Sequence, residues 1–142
     1  MKTFVLVTGG FDPLHRGHIA YFEAAAKLGD ALIVGLNSDE WLQRKKGKHF
    51  MDFDDRRAVL ESLRMVDEVM PFDDRDGSAR DAIERCLDWY PYVNLVFANG
   101  GDRTEQNIPE MTIEDKRLTF EFGVGGVEKL NSSSAILERW EK

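Results

Sequence analysis

The chain has 142 residues, of which 42% are hydrophobic, a formal net charge of −7 and a single cysteine, Cys86. Such a length suits one nucleus of packing, so a single domain spanning 1–142 is expected, and the acidic balance argues against a nucleic-acid-binding surface. One cysteine excludes an internal disulfide. With no basic leader and no apolar run of roughly 18 residues, a cytoplasmic protein without membrane attachment is expected.

In chain order, Phe4-Val5-Leu6-Val7 is a β-branched and aromatic run and predicts a buried strand near 3–8. The turn that follows, Thr8 to His18, concentrates Gly9, Gly10, Asp12, Pro13, His15, Gly17 and His18. The Ala-rich stretch Ile19 to Leu28 then predicts a helix near 17–28. Further strands are expected near 31–36, 66–71, 93–98 and 119–122, and further helices near 38–45, 53–64, 78–88 and 132–140. This alternation predicts an α/β fold, a Rossmann-like doubly wound parallel sheet in a single domain, with ligands at the carboxyl ends of its strands. Two long polar connections, 45–52 and 99–112, follow elements that end at that edge, where loops carry function.

The strand-to-helix turn suits a polyphosphate. Backbone N–H groups and the positive end of the helix dipole favour an anion, and histidines at i and i+3 share a face. Zinc is a poorer reading, because a zinc site needs three or four ligands. The third histidine, His49, sits among lysines, and Cys86 stands alone. The plain alternative is a surface helix N-terminus after a glycine turn.

These residues resemble the HxGH signature, with its preceding G-x-F-D element, of the cytidylyltransferase-like nucleotidyltransferases. That class includes glycerol-3-phosphate cytidylyltransferase and the adenylyltransferase domain of ADP-heptose synthesis. Leu28 to Asp39 resembles the family's second strand and its N/T-S-D turn, and Asp52 to Val69 its E-Q-R helix and V-D-x-V strand. The resemblance implies transfer of a nucleoside monophosphate from ATP or CTP to a small phosphorylated sugar or polyol, of heptose-1-phosphate or glycerol-3-phosphate type. Pyrophosphate leaves, and Mg²⁺ arrives with the nucleoside triphosphate. It also implies a homodimer. The alternative is a nucleotide-binding regulatory module with the same fold and no turnover. An aminoacyl-tRNA synthetase-like activator is disfavoured by the short acidic chain.

On this resemblance His15 and His18 hold the triphosphate and the transition state, and the backbone of Thr8, Gly9, Gly10, Phe11 and Gly17 lies near the phosphates. Asp12 orients donors or Mg²⁺, or else serves as a cap or turn aspartate. Lys45 or Lys46 is a phosphate ligand, Lys48 being a third possibility, although a charge run is often a solvated face. Arg64 grips phosphate, or pairs with Glu61 or Asp67 on the surface. Gly100-Gly101-Asp102 resembles the family's ribose-holding turn, against a hairpin as the alternative for Asn-Gly. Ser132, Ser133 and Ser134 resemble its S-T-T or S-S-T at the β/γ-phosphates, or cap the last helix. The chain departs from the cytidylyltransferase R-T-E-G-I in having Val127 where the arginine is expected.

Overall fold

A computed structural model describes residues 1–101, 108–126 and 132–141. Five parallel strands form one sheet: β1 (Thr3–Gly9), β2 (Ala31–Leu36), β3 (Glu68–Pro71), β4 (Asn94–Ala98) and β5 (Leu118–Glu121), in the order β3-β2-β1-β4-β5. Parallel strands buried on both faces need apolar side chains in both directions. Val5, Val7, Leu32, Val34, Val69 and Val96 accordingly enter one core, while Leu6, Ile33, Met70, Leu95 and Phe97 enter the other.

The first core is covered by α1 (Arg16–Ala26) and α3 (Phe53–Glu61), which contribute Phe22, Ala25 and Leu60. The second is covered by α4 (Arg80–Trp89) through Ala82, Ile83, Cys86 and Leu87. The short α2 (Asp39–Lys46) begins at the Ser38 cap, whose side chain accepts from the Trp41 N–H, and ends at Gly47 in the left-handed conformation. The last helix, α5, runs Ser133–Glu141.

The ten expected elements are present, β2 with both ends as expected and the others with ends displaced by up to three residues. The largest displacement is at α3, which stops at Glu61 rather than near 64. One element was missed. The stretch expected as a polar connection contains a 3-10 turn at Pro109–Thr112, with Ile108 and Glu110 buried beside it.

Chain order runs outward from β1 through β2 to β3, then returns across the sheet to β4. The reversal creates a switch point between the carboxyl ends of β1 and β4, where open α/β sheets bind ligands. Among the described residues no helix is long and apolar enough to cross a membrane.

Candidate active site

A cavity of about 910 Å³ opens at that switch point. The structure brings to it Thr8, Gly9, Gly10 and Phe11 from the end of β1, and His15, Gly17 and His18 from the start of α1. Lys45 and Lys46 reach it from the end of α2, Gly100 and Gly101 from the turn after β4, and Ser132, Ser133 and Ser134 from the start of α5.

The spacing of the two histidines has a local cause. His15 is the N-cap of α1, and its Nδ1 accepts from the Gly17 N–H at 3.0 Å. His18 answers with its own Nδ1, which accepts from the His15 N–H at 3.2 Å. The pair forms a reciprocal capping box built from imidazoles. The rings stack with centroids 3.8 Å apart. Because each Nδ1 accepts, each neutral ring carries its proton on Nε2 and is a donor there. Burial, the neighbouring His15 and the charge of Lys46 lower the His18 pKa to about 3. His18 is thus a neutral donor throughout the physiological range.

Phe11 sets the floor beneath His18. Its backbone has a φ of 48°, in the left-handed region, and its ring meets His18 edge-on at 5.0 Å and Phe22 at 5.0 Å. Gly10 has no room for a side chain, since a Cβ there would lie 2.6 Å from Leu42 of α2. The Gly9–Gly10 backbone is therefore pressed between Phe11 and α2, with its peptide groups at the cavity wall.

The lysine alternatives separate. The Lys45 ammonium sits 4.6 Å from the Trp41 ring centre at the cavity, and Lys46 lines the cavity near His18. Lys48 instead forms an exposed pair with Glu141 at 2.7 Å. At the other end, Ser132 Oγ accepts from the Ala135 N–H, so it caps α5. Ser133 Oγ donates to the Pro13 carbonyl at 2.7 Å and fastens α5 beside the histidine turn.

Two expectations do not fit the geometry. Asp12 is buried, and its oxygens accept from the Phe50 and Met51 N–H groups at 2.6 and 2.7 Å. It anchors the connection between α2 and α3, and it is absent from the described residues that line the cavity. Arg64 follows the early end of α3 in an exposed turn at the amino edge of the sheet, opposite the cavity. Three residues on, Asp67 already donates to Leu32 at the start of β2. Nor do its expected surface partners await it. Glu61 lies near Arg57, and Asp67 Oδ2 accepts from the Leu32 N–H. Asp102, Val127 and Asn131 lie outside the described residues.

Several residues that shape the site were not singled out. Arg56 is fully buried and donates to Met51 O, Gly10 O, Asn37 O and Asp39 Oδ1, all within 2.9 Å. Asp74, also buried, accepts from Asn37 Nδ2, Ser38 N and Ser38 Oγ, and so holds the start of α2. Tyr21 of α1 donates to the Ala98 carbonyl. Glu110 lines the cavity from the 3-10 turn. The N-S-D turn and the arginine pair 56–57 were the only sequence signals for any of these.

His49 does not join the other histidines. It meets Gln43 and Asp52, and lies 3.9 Å from Asp39, which Arg56 already holds. The hydrogen bond to Asp52 raises its pKa. The described residues lining the cavity offer a single carboxylate, that of Glu110, and Asp12 has both oxygens occupied by backbone N–H groups. These residues do not fit a resident magnesium site beside the histidines.

A doubly wound parallel sheet whose switch point gathers glycine backbone, imidazole donors and ammonium groups defines an α/β domain built to handle nucleotide phosphates. The chain belongs to the cytidylyltransferase-like family, whose model matches residues 6–137. Over 98 residues it is 37% identical to glycerol-3-phosphate cytidylyltransferase of Bacillus subtilis (strain 168), covering 69% of this chain and 70% of that protein. Over 129 residues it is 50% identical to the bifunctional protein HldE of Actinobacillus pleuropneumoniae serotype 5b (strain L20). That match covers 86% of this chain and 26% of HldE, so the chain spans about a quarter of that relative. Among solved structures, the lipopolysaccharide core biosynthesis protein from Thermoplasma volcanium GSS1 superposes with a TM-score of 0.64 at 25% identity. The superposition covers 92% of this chain and all of that one. The protein is an enzyme of the cytidylyl- or adenylyltransferase kind.

Proposed function

We propose that the enzyme transfers a nucleoside monophosphate from ATP or CTP to a small phosphorylated polyol or sugar, of glycerol-3-phosphate or heptose-1-phosphate type. An oxygen of the acceptor's phosphate attacks the α-phosphorus and forms a new P–O bond, while the bond to the bridging oxygen breaks and pyrophosphate leaves with that electron pair. The nucleophile is already an anion, so no general base is needed and catalysis reduces to alignment and charge stabilisation. The observation that carries this reading is the pair of stacked imidazoles whose Nδ1 atoms are both engaged by backbone N–H groups, which directs donor chemistry to Nε2. In this role His15 and His18 donate to the α-phosphate region as negative charge develops. Lys45 and Lys46 hold phosphate oxygens, and the start of α5, with Ser132, Ser133 and Ser134, receives the β- and γ-phosphates. The Gly100–Gly101 turn receives the ribose. Mg²⁺ enters as part of the substrate, bound to the triphosphate.

The test is pyrophosphate release from each of ATP, CTP, GTP and UTP against glycerol-3-phosphate, heptose-1-phosphate, phosphocholine, FMN and phosphopantetheine. Rapid release with one polyol or sugar phosphate is expected, and it assigns base and acceptor together. Turnover only with FMN, phosphocholine or phosphopantetheine overturns the acceptor class. Tight nucleotide binding without release in any combination points to the regulatory module. On the resemblance alone, two copies are proposed to associate, which sedimentation equilibrium checks.

A further inference from the structure

We propose that Glu110 recognises the hydroxyl groups on the body of the acceptor, which makes it the specificity-determining residue for a polyol or sugar. This rests on the transfer reaction proposed above. The starting observation is an incomplete hydrogen-bond inventory. Glu110 is 1% exposed, and its Oε2 accepts from the Ala79 N–H at 2.8 Å, at the N-cap of α4. Its Oε1 is buried and has no hydrogen-bond partner. A buried carboxylate oxygen without a donor is costly. Here the same side chain lines the cavity, so a ligand can supply the missing donor.

Position separates the two substrates. Gly100, proposed to receive the ribose, packs on α1, since a Cβ there would meet the Tyr21 ring at 3.2 Å, and a Cβ at Gly125 would meet Tyr21 Cα at 3.0 Å. Ser133 ties α5 to the same side through Pro13. Glu110 belongs to the opposite face of the sheet. Its neighbours Ile108 and Ala79 enter the core beneath α4, whereas Phe22 and Ala25 of α1 enter the other core. Gly77, Ser78 and Ala79 line the cavity beside it. A volume of about 910 Å³ lies near the upper end of the range of roughly 300–1,000 Å³ for ligand sites. It leaves room for a second substrate beside a nucleotide.

Charge decides which part of that substrate reaches Glu110. A carboxylate repels phosphate, whereas His15, His18, Lys45 and Lys46 line the same cavity as donors and cations, with Lys46 near His18. The acceptor's phosphate therefore points toward the histidines and its hydroxylated end toward Glu110, where an O–H can donate to Oε1. A hydroxyl-free acceptor would leave the oxygen orphaned, and this asymmetry favours hydroxylated molecules strongly.

The experiment measures pyrophosphate release with the preferred acceptor and its singly deoxygenated analogues, in the wild type, Glu110→Gln and Glu110→Ala. The Gln variant keeps an oxygen for the Ala79 N–H, and thermal melts of all three proteins report folding. For Glu110→Gln the expected result is an acceptor KM raised about 10-fold or more, with the KM for nucleotide within about twofold. One deoxy analogue should be poor for the wild type yet scarcely distinguished from the parent acceptor by the variant. An unchanged acceptor KM, or a rise in the nucleotide KM instead, overturns the inference and leaves the transfer reaction standing. Absence of wild-type turnover with every polyol and sugar phosphate overturns both.

Discussion

Replacing His18 with asparagine separates its structural bond from its donor. Asparagine Oδ1 can stand where Nδ1 accepts from the His15 N–H, so the cap of α1 survives while Nε2–H is lost. Removing one donor aimed at developing negative charge lowers kcat by about 10²–10³-fold, or roughly 3–4 kcal/mol of transition-state stabilisation. The same variant should change the pH dependence of stability. In the folded protein His18 stays neutral down to about pH 3, while its ordinary value is 6.5. The unfolded chain therefore takes up the proton first. Stability is complete above about pH 6.5 and falls as pH drops toward the folded value. From pH 7.5 to pH 5 the gap is about 1.5 pH units at about 1.4 kcal/mol each, and partial exposure of the ring brings the loss to about 1–2 kcal/mol. Urea denaturation at both pH values, in wild type and His18→Asn, measures the difference between their losses. Equal losses of stability would refute the buried neutral ring, and a variant kcat within about threefold of wild type would refute the donor role.

Arg56→Met leaves Gly10 O, Asn37 O and Met51 O without their donor, and urea denaturation should register a loss of about 3–5 kcal/mol. Lys46→Ala should lower kcat/KM for the nucleotide by about 10-fold or more, whereas Lys48→Ala, which breaks only an exposed pair with Glu141, should stay within about twofold by steady-state kinetics. Asp12→Asn should cost about 1–3 kcal/mol in denaturant, since an amide offers one acceptor where two backbone N–H groups need two. Its Mg²⁺ dependence of turnover should match wild type, and a raised Mg²⁺ requirement would return Asp12 to the metal.

The sheet was legible because both faces of each strand are buried, which leaves continuous apolar runs such as Phe4 to Val7 and Ala31 to Leu36. The histidine turn was legible because its spacing is local, within one helical turn. Arg56 and Asp74 were not, because their partners come from residues 10, 37, 38, 39 and 51, distances that no periodicity encodes. Arg64 misled for a related reason. The helix α3 begins near the ligand edge at Phe53 and runs away from it, so the turn that holds position 64 before β3 falls at the amino edge. Glu110 hid in a segment whose polar composition reads as a loop, and burial of Ile108 beside it is a tertiary fact.

Arg56 has a consequence for how activity is lost. One guanidinium joins the glycine turn after β1, the end of β2, the connection before α3 and the first residue of α2. If α3 melts, all four lose their common partner at once, and the phosphate-facing turn loses its support together with the helix. The catalytic pocket is then the same cooperative unit as the domain. In a denaturant titration, activity and helical circular dichroism should fall on one curve, with no folded but inactive interval between them.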